Sequence, residues 1–204
     1  MKKSIIGLFL VTGLILIDSP VFSQVTEISG QFRPRYEYRH GYNTLMPDGE
    51  KAANFISQRT RLNLDHTNKN FRVRFSLQNV GVWGESGTLS RSDINGTAIH
   101  EAWGEVFLGD KFAIKAGRQE IIYDDHRIFG SVDWTQQGRS HDAAILKIKP
   151  KENCNIDIGA AYNARRESNF KEFYFQNNYK TFQFAHWHRD FNDIGASILI
   201  LNNG

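Results

Sequence analysis

Arginine is the residue type in this chain whose spacing could do chemistry. It recurs at every second position in Phe32-Arg33-Pro34-Arg35-Tyr36-Glu37-Tyr38-Arg39, in Ser57-Gln58-Arg59-Thr60-Arg61-Leu62 and in Phe71-Arg72-Val73-Arg74-Phe75. A guanidinium is planar, permanently charged, and carries a fork of N–H donors that fits a carboxylate in a bidentate way. A row of them can bind an acidic solute and hand it on, provided that each contact stays weak enough for release. Side chains on a β-strand point alternately to opposite faces. Arg33, Arg35, Arg39, Arg59, Arg61, Arg72 and Arg74 therefore share one face of three successive strands, with Phe32, Tyr36, Tyr38, Phe71 and Phe75 on the other. A soluble sandwich would bury the apolar face and wet the charged one, whereas a membrane barrel turns the apolar face to lipid and the charged face to an aqueous lumen.

The ends of the chain bear on that choice. Lys2 and Lys3 precede an apolar run from Ser4 to Ile17, and Val21 and Ser23 stand at −3 and −1 of a cleavage site before Gln24. This reads as a secretory signal peptide over 1–23, leaving 24–204 as the mature chain. No other apolar run approaches the roughly 20 residues of a transmembrane helix. Without Lys2, Lys3 and Asp18 the formal charge falls from +3 to +2, a balance that points away from nucleic acid. From Arg33 to Arg74, however, nine basic residues stand against four acidic ones. The single cysteine, Cys154, leaves no internal disulfide framework. At the other end Ile194–Leu201 runs into Asn202-Asn203-Gly204, the opening of a turn, so the chain is expected to be the N-terminal part of a longer protein.

Between the ends the pattern is all-β. Strands are predicted over 26–39, 54–66, 70–82, 98–109, 111–119, 141–149, 154–164, 178–189 and 193–201, broken by Gly-, Asn-, Asp- and Pro-bearing turns. Short connections alternate with long ones (40–53, 83–97, 120–140 and 165–177). A membrane barrel sorts its connections in this way, with short periplasmic turns and long outer loops. The face on which 178–189 carries Phe182, Phe184, His186 and His188 is left unassigned.

The run from Lys115 to Leu146 resembles the alginate-export family of Gram-negative outer-membrane β-barrel porins, through Gly117-Arg118-Gln119, Tyr123, Arg127, Trp134, Arg139 and Asp142. Arg33-Pro34-Arg35-Tyr36-Glu37 is similar to the family's first strand. The resemblance implies a monomeric antiparallel transmembrane barrel of about 18 strands, of which this chain would form about half. It further implies assembly by the barrel-assembly machinery, contact with outer-membrane lipid, and an arginine-lined pore for an acidic polysaccharide or smaller anionic solutes.

Arg118, Arg127 and Arg139 form a second group of candidate pore-lining residues. Parity puts Arg118 on the apolar face with Ala116, so it joins the charged wall only where the strand ends or bulges. Stretch 120–140 is long enough to fold inward and carry Arg127 and Arg139 to a constriction. Glu37, Asp65, Glu101 and Glu105 fall on or near the charged face and would neutralise part of it.

No enzymatic constellation stands out. His141-Asp142 and Asp124-Asp125-His126 lack a framed nucleophile. Glu101 and Glu105 would lie roughly 13 Å apart on a strand, against roughly 6.5–9.5 Å in inverting glycosidases. His186 and His188 lack a nearby acidic or cysteine partner for a metal. The reading is a porin of the Gram-negative outer membrane, with no catalytic residue and no cofactor. Its alternatives are a secreted β-sandwich that binds acidic glycans and a small closed barrel with a plugged interior.

Overall fold

Two-residue alternation is realised as one antiparallel sheet. A computed structural model describes residues 24–89, 96–173 and 179–204. The expected leader, part of the connections expected over 83–97 and 165–177, and the first residue of the strand expected over 178–189 lie outside them. Among the described residues the strands are β1 (Val25–Arg39), β2 (Ala53–Thr67), β3 (Phe71–Val82), β4 (Thr97–Phe107), β5 (Phe112–Gln119), β6 (His141–Lys151), β7 (Cys154–Tyr162), β8 (Thr181–Phe191) and β9 (Ile194–Asn203). Each strand pairs antiparallel with the next, in the order β1 to β9, with no helix among the described residues. The fold class and strand order match the sequence expectation, and the ends move by a few residues. Long connections gather at one end of the sheet and tight turns at the other.

The two faces differ in kind. Phe32, Tyr36, Leu62, Phe75, Ile114 and Ile200 lie exposed on one face. The opposite face carries the arginines and the burial. There Arg59, Ser76 and Gln119 are fully enclosed. Large apolar side chains outside and polar groups enclosed within is the reverse of a soluble core, and it suits a sheet whose outer face meets lipid.

Loop 120–140 causes that burial. Its first part carries Ile121 and Phe129 onto β6–β8, where they pack with Ala143, Ile145, Ala161, Phe182 and Phe184. Phe182, Phe184, His186 and His188 thus face inward, because the loop supplies an apolar cap. Fully burying a side chain such as Phe182 or Phe184 is worth about 1.5–3 kcal/mol. Gly159 makes room for this cluster, since a Cβ there would lie 2.1 Å from the Phe184 ring.

Two irregularities set the centre of the wall. The β3–β4 register shifts between Ser76, paired with Glu101, and Leu77, paired with Ile99. His100 is therefore an extra residue, and this bulge leaves His100 and Glu101 both buried. On β5, Gly117 has φ +123° and a Cβ would fall 2.3 Å from the Ala102 carbonyl oxygen. Only glycine permits this close seating of β5 on Trp103. Cys154 is a buried free thiol at the start of β7.

Candidate functional site

The arginine wall follows from strand register. Arg33 stands directly opposite Arg59, and Arg61 opposite Gln78. Like charges at opposed positions destabilise a sheet, so each cluster of guanidinium groups needs a counter-ion. Glu37 takes Arg35 at 2.9 Å and Arg39 at 2.6 Å. Asp65 takes Arg72 at 3.2 Å and Arg74 at 2.9 Å, and Glu101 takes Arg74 at 2.6 Å. Glu120 lies 3.7 Å from Arg61 and 2.7 Å from His100 Nε2. The opposed pair Arg33 and Arg59 is resolved from outside the sheet, by Asp133 of loop 120–140.

Beyond Asp133 the loop runs as a strap over β1–β3. Five successive carbonyls face the wall. Arg33 donates to those of Asp133 (2.7 Å) and Thr135, and Arg35 to that of Trp134 (2.8 Å). Arg59 reaches the Thr135 and Gln136 carbonyls at 3.5 Å. The Gln137 carbonyl accepts from Gln78 at 2.7 Å and from Arg61 at 3.5 Å. Gln136 completes the strap by donating to Ser57 Oγ at 2.9 Å. Between strap and wall a cavity of about 560 Å³ opens among Arg35, Glu37, Arg39, Tyr42 and Glu85.

The candidate residues thus fall into distinct places. Arg33, Arg35, Arg39, Arg59, Arg61, Arg72 and Arg74 share the enclosed face, from the fully buried Arg59 to the partly exposed Arg35 and Arg72. Arg118 lies on the outer face, bonded to Asp142 at 3.1 Å and to the Ile99 carbonyl at 3.0 Å. β5 has neither ended nor bulged at that residue, so Arg118 does not join the wall. Arg127 is 85 % exposed and paired with Asp125. Arg139 is exposed and is held by its backbone N–H to the Ser131 carbonyl. Loop 120–140 does fold onto the wall, and the groups with which it meets the wall's arginines are acceptors. His100, Asp133, Gln136 and Gln137 were missing from the sequence-based site. For the three loop residues the signal was the acceptor-rich run Asp133-Trp134-Thr135-Gln136-Gln137 in a long loop beside a basic wall, and for His100 there was none.

Toward the short-turn end the loop is anchored again. Tyr123 donates to Asp157 at 2.7 Å and stacks on His186 with ring centroids 4.1 Å apart. Burial, together with the neighbouring Asp157 carboxylate, pushes the Tyr123 phenol far above its usual range. Burial alone would raise the Asp124 carboxyl, but hydrogen bonds from Ser197 and His186 outweigh it and hold that group below its usual value. A carboxyl held low stabilises the folded state above the ordinary carboxylate range, and this contribution is lost as pH falls through the folded value. The protection of amides 121–126 in detergent micelles, taken as the hydrogen–deuterium exchange rate relative to that of an unstructured peptide at the same pH, is therefore expected to fall between about pH 6 and about pH 3. Asp124→Asn should remove that dependence, and equal protection at both pH values would reject the anchor.

The match that decides the family is to the alginate export model, over residues 25–192. The chain belongs to that family. It is accordingly a β-barrel transport protein of the Gram-negative outer membrane, in a family of polysaccharide export porins. The alginate export match takes in the whole arginine wall, loop 120–140 and strands β1 to β8 complete. No curated protein matches the chain. In a barrel of the alginate export family, the face that carries the exposed aromatic and aliphatic side chains is the one suited to lipid.

Proposed function

We propose that the protein is an anion-preferring outer-membrane porin that passes an acidic polysaccharide or smaller acidic solutes by facilitated diffusion, without cofactor or energy coupling. Residues 1–23 direct export and are removed. Residues 24–204 form the N-terminal portion of a monomeric transmembrane barrel, delivered by the barrel-assembly machinery. The observation that carries the reading is the charge ratio of the wall. Its seven arginines meet five carboxylates, Glu37, Asp65, Glu101, Glu120 and Asp133. Positive charge therefore remains after these pairing partners are counted, which favours anions in a water-filled pore. Because most of the charge is neutralised, the preference is modest and each solute contact stays weak.

The test is a reversal potential across a potassium chloride gradient, with the full-length protein in planar bilayers. A potential on the chloride side is expected, and one on the potassium side would overturn the reading. A second reading has its own support, since the strap and ion pairs fill much of the space above β1–β3. A conductance trace that stays at baseline would favour a plugged barrel over a porin.

A further inference from the structure

Asp133 meets the wall unlike the other acids of the ladder. It approaches three arginines at once: Arg59 at 2.7 Å, Arg33 at 3.5 Å and Arg61 at 3.7 Å. Its side chain is 52 % exposed, while that of Arg59 beneath it is 0 % exposed. The acid comes from a loop and not from a strand, so it can leave without unpairing the sheet. Past it, the strap presents neutral oxygen acceptors, the carbonyls of residues 133–137. One anionic group followed by a row of neutral oxygens is also the acceptor pattern of a sugar acid, with its carboxylate beside hydroxyl and ring oxygens.

We propose that Asp133 is a tethered occupant of a three-arginine carboxylate site, and that a sugar carboxylate in transit displaces it and lifts the 133–137 strap. The proposal deepens the porin reading and rests on it. The buried Arg59 makes the step an exchange, since a buried guanidinium left without a counter-charge is strongly unfavourable. Asp133 therefore departs when another carboxylate takes its place. The donors that release the strap's carbonyls, from Arg33, Arg35, Arg59 and Arg61, are the ones that then meet the oxygens of the incoming sugar. Two contacts at 3.5 and 3.7 Å are long for charge-assisted bonds, and the exposed carboxylate offers the incoming group a direct approach.

The experiment records single channels of the full-length protein in planar bilayers, in chloride and then in sodium glucuronate at equal ionic strength. Glucuronate is expected to raise the time spent at the highest conductance severalfold. Asp133→Asn is expected to reach that level in chloride alone and to lose the response. A galacturonate oligomer run alongside separates the two sources of the ligand. A response to both compounds assigns the site to any sugar carboxylate, and a response to the oligomer alone assigns it to a polysaccharide. An anion-preferring channel whose Asp133→Asn variant keeps the full glucuronate response would overturn the exchange and leave the proposed function intact. A channel with cation preference or no conductance would overturn both. A second variant needs no current: position 136 of the strap lies buried, so in Gln136→Cys on a Cys154→Ser background the reaction of the thiol with a water-soluble maleimide is expected to quicken severalfold in glucuronate and not in glucose. Equal rates in the two sugars would also overturn the exchange.

Discussion

Gly117→Ala is expected to destabilise the folded protein by about 3 kcal/mol or more, enough to abolish heat-modifiable migration on a gel. The left-handed φ of +123° is one source of strain, because a side chain rarely adopts it. The second source is steric, and here the obstruction is backbone. The new methyl would lie 2.3 Å from the Ala102 carbonyl oxygen and 2.8 Å from Trp103 Cα, so β4 and β5 must part. Parting them also disturbs what lies beneath. Trp103 donates to Glu101 at 3.0 Å and carries Lys115 over its ring at 3.9 Å, and Gln119 donates to the Ala143 carbonyl at 2.9 Å. Urea unfolding in detergent micelles measures the loss, and an unfolding midpoint equal to the wild type would refute the account.

The second large effect is on selectivity. Glu37 keeps Arg35 when Arg39 is lost, and Asp65 keeps Arg74 when Arg72 is lost. These two arginines can therefore be changed without orphaning a carboxylate. Arg39→Gln with Arg72→Gln leaves five arginines against five acids, and its reversal potential is expected near zero. Arg39→Glu with Arg72→Glu turns a surplus of two positive charges into a surplus of two negative ones. Its reversal potential is expected to change sign. Both side chains are partly exposed, at 35 % and 42 %, so the new carboxylates can reach water. Retained heat-modifiable migration would establish that each variant is folded, and an unchanged potential in a folded channel would refute the wall's role.

The parts of this molecule legible in the sequence are those governed by the period of a strand. Arg33 and Arg61 belong to different strands, yet counting by twos puts them on one face, and the register agrees. Glu37 and Asp65 could be named as counter-ions for the same reason. What escaped the count was the loop. Arg127 and Arg139 stand out in the loop as cations, but a basic wall recruits acceptors, and Asp133 with the carbonyls of 133–137 is what meets it. The face of β8 was likewise illegible locally, since Phe182 and Phe184 are capped by Ile121 and Phe129, more than fifty positions earlier in the chain. His100 escaped for another reason. A single-residue bulge moves every side chain on one side of it to the other parity, and nothing in Ala98-Ile99-His100-Glu101 announces where the extra residue falls.

The strand order carries a consequence for how the sheet can be completed. Nine consecutive antiparallel strands make β1 and β9 run in the same direction, each from the short-turn end toward the long-loop end. Two copies of this sheet set edge to edge around a common axis would therefore bring like-directed strands together, with the slanted hydrogen bonds of a parallel pair. Antiparallel pairing at both edges calls for an odd number of intervening strands, whatever supplies them. A ring of such copies would have to accept a parallel seam at every junction, a constraint on assembly set by counting alone.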